Sequence, residues 1–362
     1  FSALMKLFIL AFCVVAVAAA DNDVTRRLVP SSRPASAARP PLVRTGPARR
    51  LTHRHNNVDL VHCVADSISF VDTAGKVGVT ADMCLGSDDL PLMAYYDFTN
   101  HRLKGAHCND QLCTDSTTAL VGGSTGDLGF RPAIALNPLT GYGLITFYDN
   151  AYRDLEVATC SNIACTSVQV FTLDSNGDKG LFSSVAFDPV GGKALIAYMD
   201  TTNSDLKTGY CEDSICSGIG GDGPGYIVDS AGEVGYYNAI AFGADGMALI
   251  AYGDQTFNAM GLKVAHCNQL QCISATKSTL DSNGDPAYDI SLVIGTDGLG
   301  FIAYRAAVPG DLRVAHCRNL LCTSADVFTV DGSPKVGMYS SVVLNPISTN
   351  GGGRPLVTYY DQ

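Results

Sequence analysis

Tryptophan is absent from this sequence. Outside the first twenty residues no segment keeps a 3.6-residue apolar period over several turns, which excludes a helical bundle or a Rossmann-type layered fold. No apolar run approaches the roughly 20 residues that span a bilayer, so no membrane span is expected. The G-x-S-x-G, H-E-x-x-H, P-loop and dinucleotide signatures are all missing, and no N-x-[ST] glycosylation acceptor occurs. Charged residues make up only 16% of the chain, with an acidic balance of −11. A basic binding stripe is what nucleic-acid recognition needs, so a nucleic-acid partner is excluded.

The chain has instead a unit of about fifty residues built around Leu-Lys-Val-Ala-His-Cys, at Leu103–Cys108, Leu155–Cys160, Leu206–Cys211, Leu262–Cys267 and Leu312–Cys317. Such a period marks an array of identical supersecondary units. A second cysteine follows each copy, giving the pairs Cys108/Cys113, Cys160/Cys165, Cys211/Cys216, Cys267/Cys272 and Cys317/Cys322. In an exported chain this spacing reads as a disulfide framework. Zinc is the rival, because His precedes the first cysteine in three pairs; Thr159 and Tyr210 fill that column in the other two. Each bridge would close a very short loop and stabilise by about 2 kcal/mol on the chain-entropy account. With Cys13 set aside in the apolar run at the start, Cys63 and Cys84 are left over, either as two buried thiols or as a cross-blade bridge.

Export itself is read from the start. Met5-Lys6 precedes the apolar run Leu7–Ala20, with small residues at Ala18 and Ala20, the pattern of a secretory signal peptide. Residues 1–20 are therefore assigned as signal, starting at Met5, and the localisation as secreted. Residues 21–57 are rich in Pro and Arg and carry eight arginines against two aspartates, a net charge of +6. This composition cannot bury a core and predicts a disordered basic linker or leader. The remaining 58–362, with 15 basic and 33 acidic residues, carries −18. That stretch is the expected globular domain.

Each repeat divides into four short strands, A to D, separated by Gly- and Asp-rich turns. Four-stranded units at this period resemble secreted β-propeller repeat proteins. The resemblance implies an all-β, six-bladed propeller of four-stranded blades. A–B units begin near Val79, Phe130, Phe182, Tyr237, Tyr288 and Tyr339, and C–D units near Leu60, Leu103, Leu155, Leu206, Leu262 and Leu312. Starting on C–D and ending on A–B, the chain would close its ring through a split sixth blade, leaving no open sheet edge. A truncated seven-bladed ring is the alternative.

Residues constant in every blade are expected to build the blade. Asp97, Asp149, Asp200, Asp254 and Asp361 are read as caps on the B–C hairpins, and His62, His107, His266 and His316 as hydrogen-bonded packing. The loops Asp174–Asp178 and Asp281–Asp285 open like a calcium loop but place Gly at position 4, so calcium is weakly supported and neither metal nor cofactor is assigned. Departures from the repeat are the candidates for function. One column at the start of strand A reads Thr80, Arg131, Phe182, Tyr237, Asp289, Tyr339; two positions on, Asp82 replaces Ala or Ser; at the end of strand B, Arg305 and Ala306 replace the usual pair. Asp82, Arg131, Asp289 and Arg305 are the candidate ligand-binding residues at the central channel.

The expected function is a monomeric, secreted, disulfide-stabilised binding module for a protein or carbohydrate ligand. The absence of a catalytic signature leans away from an enzyme. A polysaccharide-acting hydrolase or lyase using the four channel residues is the alternative; the missing tryptophan weakens both glycan readings, though tyrosine can stack on sugars.

Overall fold

The computed structural model describes residues 52–55, 58–61, 69–122, 126–221, 224–282, 284–345 and 353–361. The signal, most of the leader, His62 and Cys63 lie outside the described residues. The chain divides into two compact units, 1–70 and 71–362. In the first, Thr52–His55 and Val58–Val61 form an antiparallel hairpin, with His53 opposite Leu60.

The second unit is a six-bladed β-propeller: five full blades and a smaller sixth. In blade 3, strand A is Lys179–Phe187, B is Ala194–Asp200, C is Asp205–Cys211, and the outer strand is broken into Ile219–Gly220 and Tyr226–Asp229, both paired with C. The A strands of the other blades are Val77–Leu85, Leu128–Leu136, Val234–Phe242, Ala287–Ile294 and Met338–Asn345. Blade 6 consists of that last strand and Arg354–Tyr360. Each A strand packs on the A strand of the next blade from blade 1 through blade 6. All pairings within blades are antiparallel with residue-by-residue register along B and C.

Hydrophobic patterning explains this stacking. The B strands Gly143–Asp149, Ala194–Asp200 and Ala248–Asp254 are buried at every position, which a continuous apolar run requires when both sheet faces are covered. The core is therefore distributed between blades. One cluster unites Leu195, Ala197 and Leu206 of blade 3 with Ile240, Ile250 and Tyr252 of blade 4. The next unites Leu249 and Leu262 with Ile302 and Tyr304. Burial of each such side chain stabilises by roughly 1.5–3 kcal/mol.

A polar clip ties successive blades. The aspartate ending strand D accepts hydrogen bonds from the tyrosine of strand B and the cation of strand C in the next blade. Asp229 takes Tyr252 Oη at 2.8 Å and Lys263 Nζ at 2.6 Å. Asp174 takes Tyr198 and Lys207, each at 2.8 Å. Asp281 takes Tyr304 and Arg313, and Asp72 takes Tyr95 and Lys104. Burial alone would raise the Asp229 carboxyl, but Lys263, Tyr252 and Lys277 hold it below its ordinary value. The junction of blades 1 and 2 departs in all three places at once. There Val121 and Gly122 bond the Leu103 carbonyl where an aspartate stands elsewhere, and Phe147 and Glu156 replace the tyrosine and the cation.

All five expected C-x4-C pairs are disulfides: Cys108–Cys113, Cys160–Cys165, Cys211–Cys216, Cys267–Cys272 and Cys317–Cys322. No thiolate is left for zinc at those positions. The first cysteine of each pair ends strand C, and the second lies beyond the strand. Spacing alone does not show what that second position demands. Cys113 (φ 52°), Cys165 (52°), Cys216 (55°), Cys272 (53°) and Cys322 (50°) are all left-handed. Each donates its N–H to the carbonyl three residues back, on Asp110, Asn162, Asp213, Gln269 and Asn319 respectively. A left-handed L-residue costs about 1–2 kcal/mol, which offsets much of the about 2 kcal/mol expected from closing so short a loop. The stabilisation expected from spacing is corrected downward accordingly. What the bridges at Cys113, Cys165, Cys216, Cys272 and Cys322 secure is the shape of the C–D turn.

Cys84 is a free thiol, packed against the core shared by blades 1 and 2. The histidine column of strand C meets the A–B turns: His266 Nε2 lies 2.9 Å from Asp245, His316 Nε2 lies 2.9 Å from Asp297, and His107 Nε2 lies 3.0 Å from Asp88. In blade 3, Tyr210 fills the place by donating to Asp188 at 2.7 Å. These contacts hold the A–B turn against strand C.

Candidate functional site

The site is built by two successive bulges at the start of the innermost strands, both present in blades 2, 3, 4 and 6. The first is a glycine in the left-handed region: Gly129 (φ 96°), Gly180 (93°), Gly235 (92°) and Gly337 (81°). A Cβ on Gly180 would sit 2.6 Å from Leu155 Cα, and one on Gly129 2.6 Å from Leu103 Cα. Only glycine lets strand A cross so close over strand C of the preceding blade.

The second bulge, two residues later, is also left-handed and carries a side chain: Arg131 (φ 52°), Phe182 (55°), Tyr237 (49°), Asp289 (49°) and Tyr339 (52°). The register of strand A shifts around each of them. The conformation carries the same cost of about 1–2 kcal/mol, and such strain concentrates where function needs a side chain turned out of its regular direction. Five copies of one strained column put five large or charged side chains at the start of the innermost strands.

Those side chains converge. The Arg131 guanidinium lies 4.4 Å from the Phe182 ring centre and 5.0 Å from that of Tyr237. The Phe182 and Tyr237 rings are 4.3 Å apart, and Tyr237 and Tyr288 5.0 Å apart. Asp289 closes the group. Burial raises its carboxyl, opposed by the Tyr339 N–H and by the positive charges of Arg131 and Arg305. Arg305 is the register partner of Tyr288, and its Nε is buried without a hydrogen-bond partner among the described residues. Three of the four sequence candidates, Arg131, Asp289 and Arg305, thus share one electrostatic environment.

Asp82 stands apart from them. Its Oδ2 accepts the Ile134 N–H at 2.9 Å and its Oδ1 accepts the Met83 N–H. It clips blade 1 to blade 2 as Ser291, in the same column, accepts Val342 N–H to clip blade 5 to blade 6. It is exposed, yet protein encloses it closely enough that desolvation raises its carboxyl against those two donors.

The aromatic members were not singled out in the sequence, although Phe182 and Tyr237 occupy the column that yields Arg131 and Asp289. Glu233 was missed as well. It lies on the turn before strand A of blade 4, in a column with Asp127 and Asp178. Those two accept Tyr96 and Tyr148 hydroxyls. Glu233 is exposed, accepts no side-chain hydrogen bond among the described residues, and acts electrostatically on Tyr236, whose ring lies 5.8 Å from Phe182.

Asp97, Asp149, Asp200 and Asp254 are scaffold, capping their B–C hairpins, whereas the exposed Asp361 accepts no backbone N–H among the described residues. Asp97 accepts the N–H groups of Thr99 and Asn100, Asp149 those of Ala151 and Tyr152, and Asp254 that of Thr256. Asp174 is consumed by Tyr198, Lys207 and the Asn176 N–H. The ten bridged cysteines are scaffold too, at the ends of the C strands and the turns that follow them. Among the described residues no group of three or more His, Cys, Asp or Glu side chains is disposed to hold a metal, and no helix is long and apolar enough to cross a membrane.

No family model matches the sequence, and no curated protein matches it. Solved structures do match in fold. A mutant of the α-L-arabinofuranosidase Arb93A of Fusarium graminearum, in complex with an iminosugar inhibitor, aligns with TM-score 0.52 at 12% identity, over 74% of this chain and 84% of that one. The GH93 α-L-arabinofuranosidase of the same organism with arabinobiose gives TM-score 0.52 at 12% identity, over 73% and 83%. These matches corrected the lean away from an enzyme. These solved structures, which share the fold, are glycosidases, and a site assembled from the innermost strands of separate blades leaves no linear signature to find. At this identity the resemblance is one of fold, to β-propeller glycosidases.

Proposed function

We propose that the protein is a secreted glycosidase acting on polysaccharide, with its site at the Arg131–Asp289 cluster. The observation that carries the reading is Asp289: a half-buried carboxyl that burial raises above its ordinary value, set beside stacked aromatic rings able to bind a sugar face. In this reading Asp289 donates its proton to the glycosidic oxygen as the C–O bond breaks. Glu233, exposed on the adjacent blade, attacks the anomeric carbon or activates the water that does. The glycosidases of the same fold support the class of reaction, and the five disulfides support export.

The test is release of reducing sugar from arabinan, galactan, xylan and pectic polysaccharides. Asp289→Asn and Glu233→Gln should each lower turnover by roughly 10²–10⁴-fold with unchanged melting curves. Full activity in both variants would remove these residues from the chemistry.

A further inference from the structure

Resting on that reading, the two guanidiniums of the cluster point to the kind of sugar it takes. Arg131 lies against the Phe182 and Tyr237 rings, which are themselves 4.3 Å apart and so share one side of the guanidinium. Arg305 occupies a column held by Tyr96, Tyr148, Met199, Gly253 and Tyr360 in the other blades. The next residue, the aspartate that caps the hairpin in those blades, is Ala306 here, so blade 5 lacks the carboxylate adjacent to its arginine. A buried guanidinium N–H without an acceptor is costly in a folded protein and calls for an explanation. Here it lies within the field of Asp289, which Arg131 shares. Asp289 is the carboxyl that both arginines face, on a body that is otherwise acidic.

We propose that the cluster binds a glycan bearing a carboxylate, a uronic-acid unit, with Arg305 as the group that recognises it. A planar carboxylate meets the Nε–H and Nη–H edge of a guanidinium in two parallel hydrogen bonds. It supplies the acceptor that Arg305 Nε lacks, while the rings of Phe182, Tyr237 and Tyr288 take the sugar faces. A neutral sugar hydroxyl could accept one bond but not the parallel pair.

The test is calorimetric titration of the intact protein with two matched pairs: oligogalacturonate against galacto-oligosaccharide, and glucuronate-bearing xylo-oligosaccharide against plain xylo-oligosaccharide. At least one uronate should bind roughly tenfold to a hundredfold tighter than its neutral counterpart. Arg305→Gln should abolish that preference, lowering uronate affinity far more than neutral-sugar affinity, with the melting curve in place. Arg305→Lys should retain part of it, keeping the charge but losing the bidentate edge. Equal affinity for both members of each pair, or a preference that survives Arg305→Gln, overturns the proposal. Preferential uronate binding without turnover would remove the hydrolytic reading and leave this one standing. Hydrolysis of neutral glycans without preference would do the reverse.

Discussion

The Arg131 guanidinium packs 4.4 Å from the centre of the Phe182 ring, and the two residues hold nearly the same left-handed φ, 52° and 55°, on neighbouring blades. Neither residue is required by the blade: the same column holds Tyr237, Asp289 and Tyr339 elsewhere. The fold thus fixes an unusual backbone conformation and leaves the side chain free to vary. That is how a repeat can carry a site without losing its period.

Because the strain belongs to the column, it can be removed where the side chain contributes little packing. Tyr339 is 64% exposed and left-handed. Tyr339→Gly relieves about 1–2 kcal/mol of backbone strain and adds back roughly 0.5–1 kcal/mol of unfolded-chain entropy. Stability should stay level or rise by up to about 1 kcal/mol. Tyr339→Val, β-branched at the same φ, should lose stability. Urea midpoints of the two variants give the order, and a Gly variant weaker than the Val variant would contradict it.

The inter-blade clips should behave as units. Asp229 faces Lys263 at 2.6 Å, Lys277 at 3.1 Å and the Tyr252 hydroxyl. Asp229→Asn leaves the buried Lys263 ammonium with Asp254 alone, at 3.6 Å, while Lys277 turns to solvent, and should cost about 3 kcal/mol. Its carboxyl is depressed below 3.8 in the folded state. Its contribution is therefore complete above that pH and lost as pH falls through the folded value. Acid titration followed by circular dichroism should show the Asn variant losing this acid-dependent step. At the blade 1–2 junction, Phe147→Tyr should gain nothing, because no aspartate waits for the hydroxyl.

Much of this was legible in the sequence. The period, the strand order, the five disulfides and the capping role of Asp97, Asp149, Asp200 and Asp254 follow from residues that recur at fixed spacing. The left-handed backbone at Cys113, Cys165, Cys216, Cys272 and Cys322 was not, because cysteine is not a residue that advertises a positive φ. Arg131, Asp289 and Arg305 were legible as departures from the repeat. Their aromatic partners were hidden, since Phe182 and Tyr237 look like ordinary strand residues until the left-handed bulge is seen to turn them toward Arg131. Asp82, two positions past the column of Asp289, looked like a departure of the same kind, but its two backbone N–H partners are a three-dimensional fact. Glu233 could have been noticed only by knowing that Asp127 and Asp178, its column mates, are consumed by tyrosines.

Glu156 should make stability depend on neutral pH. It stands where other junctions place a cation, and burial, then the charge of Asp149, push its carboxyl up to about 7, against the Thr172 hydroxyl donating at 3.2 Å. A folded pKa above the ordinary 4.5 means that stability is complete below 4.5 and is lost as pH rises toward about 7. The group is partly exposed, so solvent screening reduces the loss to roughly 1–2 kcal/mol. Glu156→Gln should therefore be more stable than the parent at pH 8 and equal to it at pH 4. Urea unfolding at the two pH values is the measurement, and an identical difference at both would show that the effect is packing.

Cys84 should be chemically silent in the folded protein. Burial, with the Asp82 carboxylate beside it, pushes its thiol up to about 12, and the nucleophile is the thiolate. At pH 8 only about one molecule in ten thousand would carry it. In a Cys63→Ser background, a disulfide-exchange reagent should therefore label the native protein very slowly and one thiol rapidly in urea, because the ten cysteines of the C-x4-C pairs are bridged. Asp82→Asn removes the neighbouring negative charge and the acceptor of the Ile134 N–H. It should speed native-state labelling through both the lower pKa and a looser blade 1–2 seam. Fast labelling of the parent at pH 8 would mean that the thiol is neither enclosed nor raised.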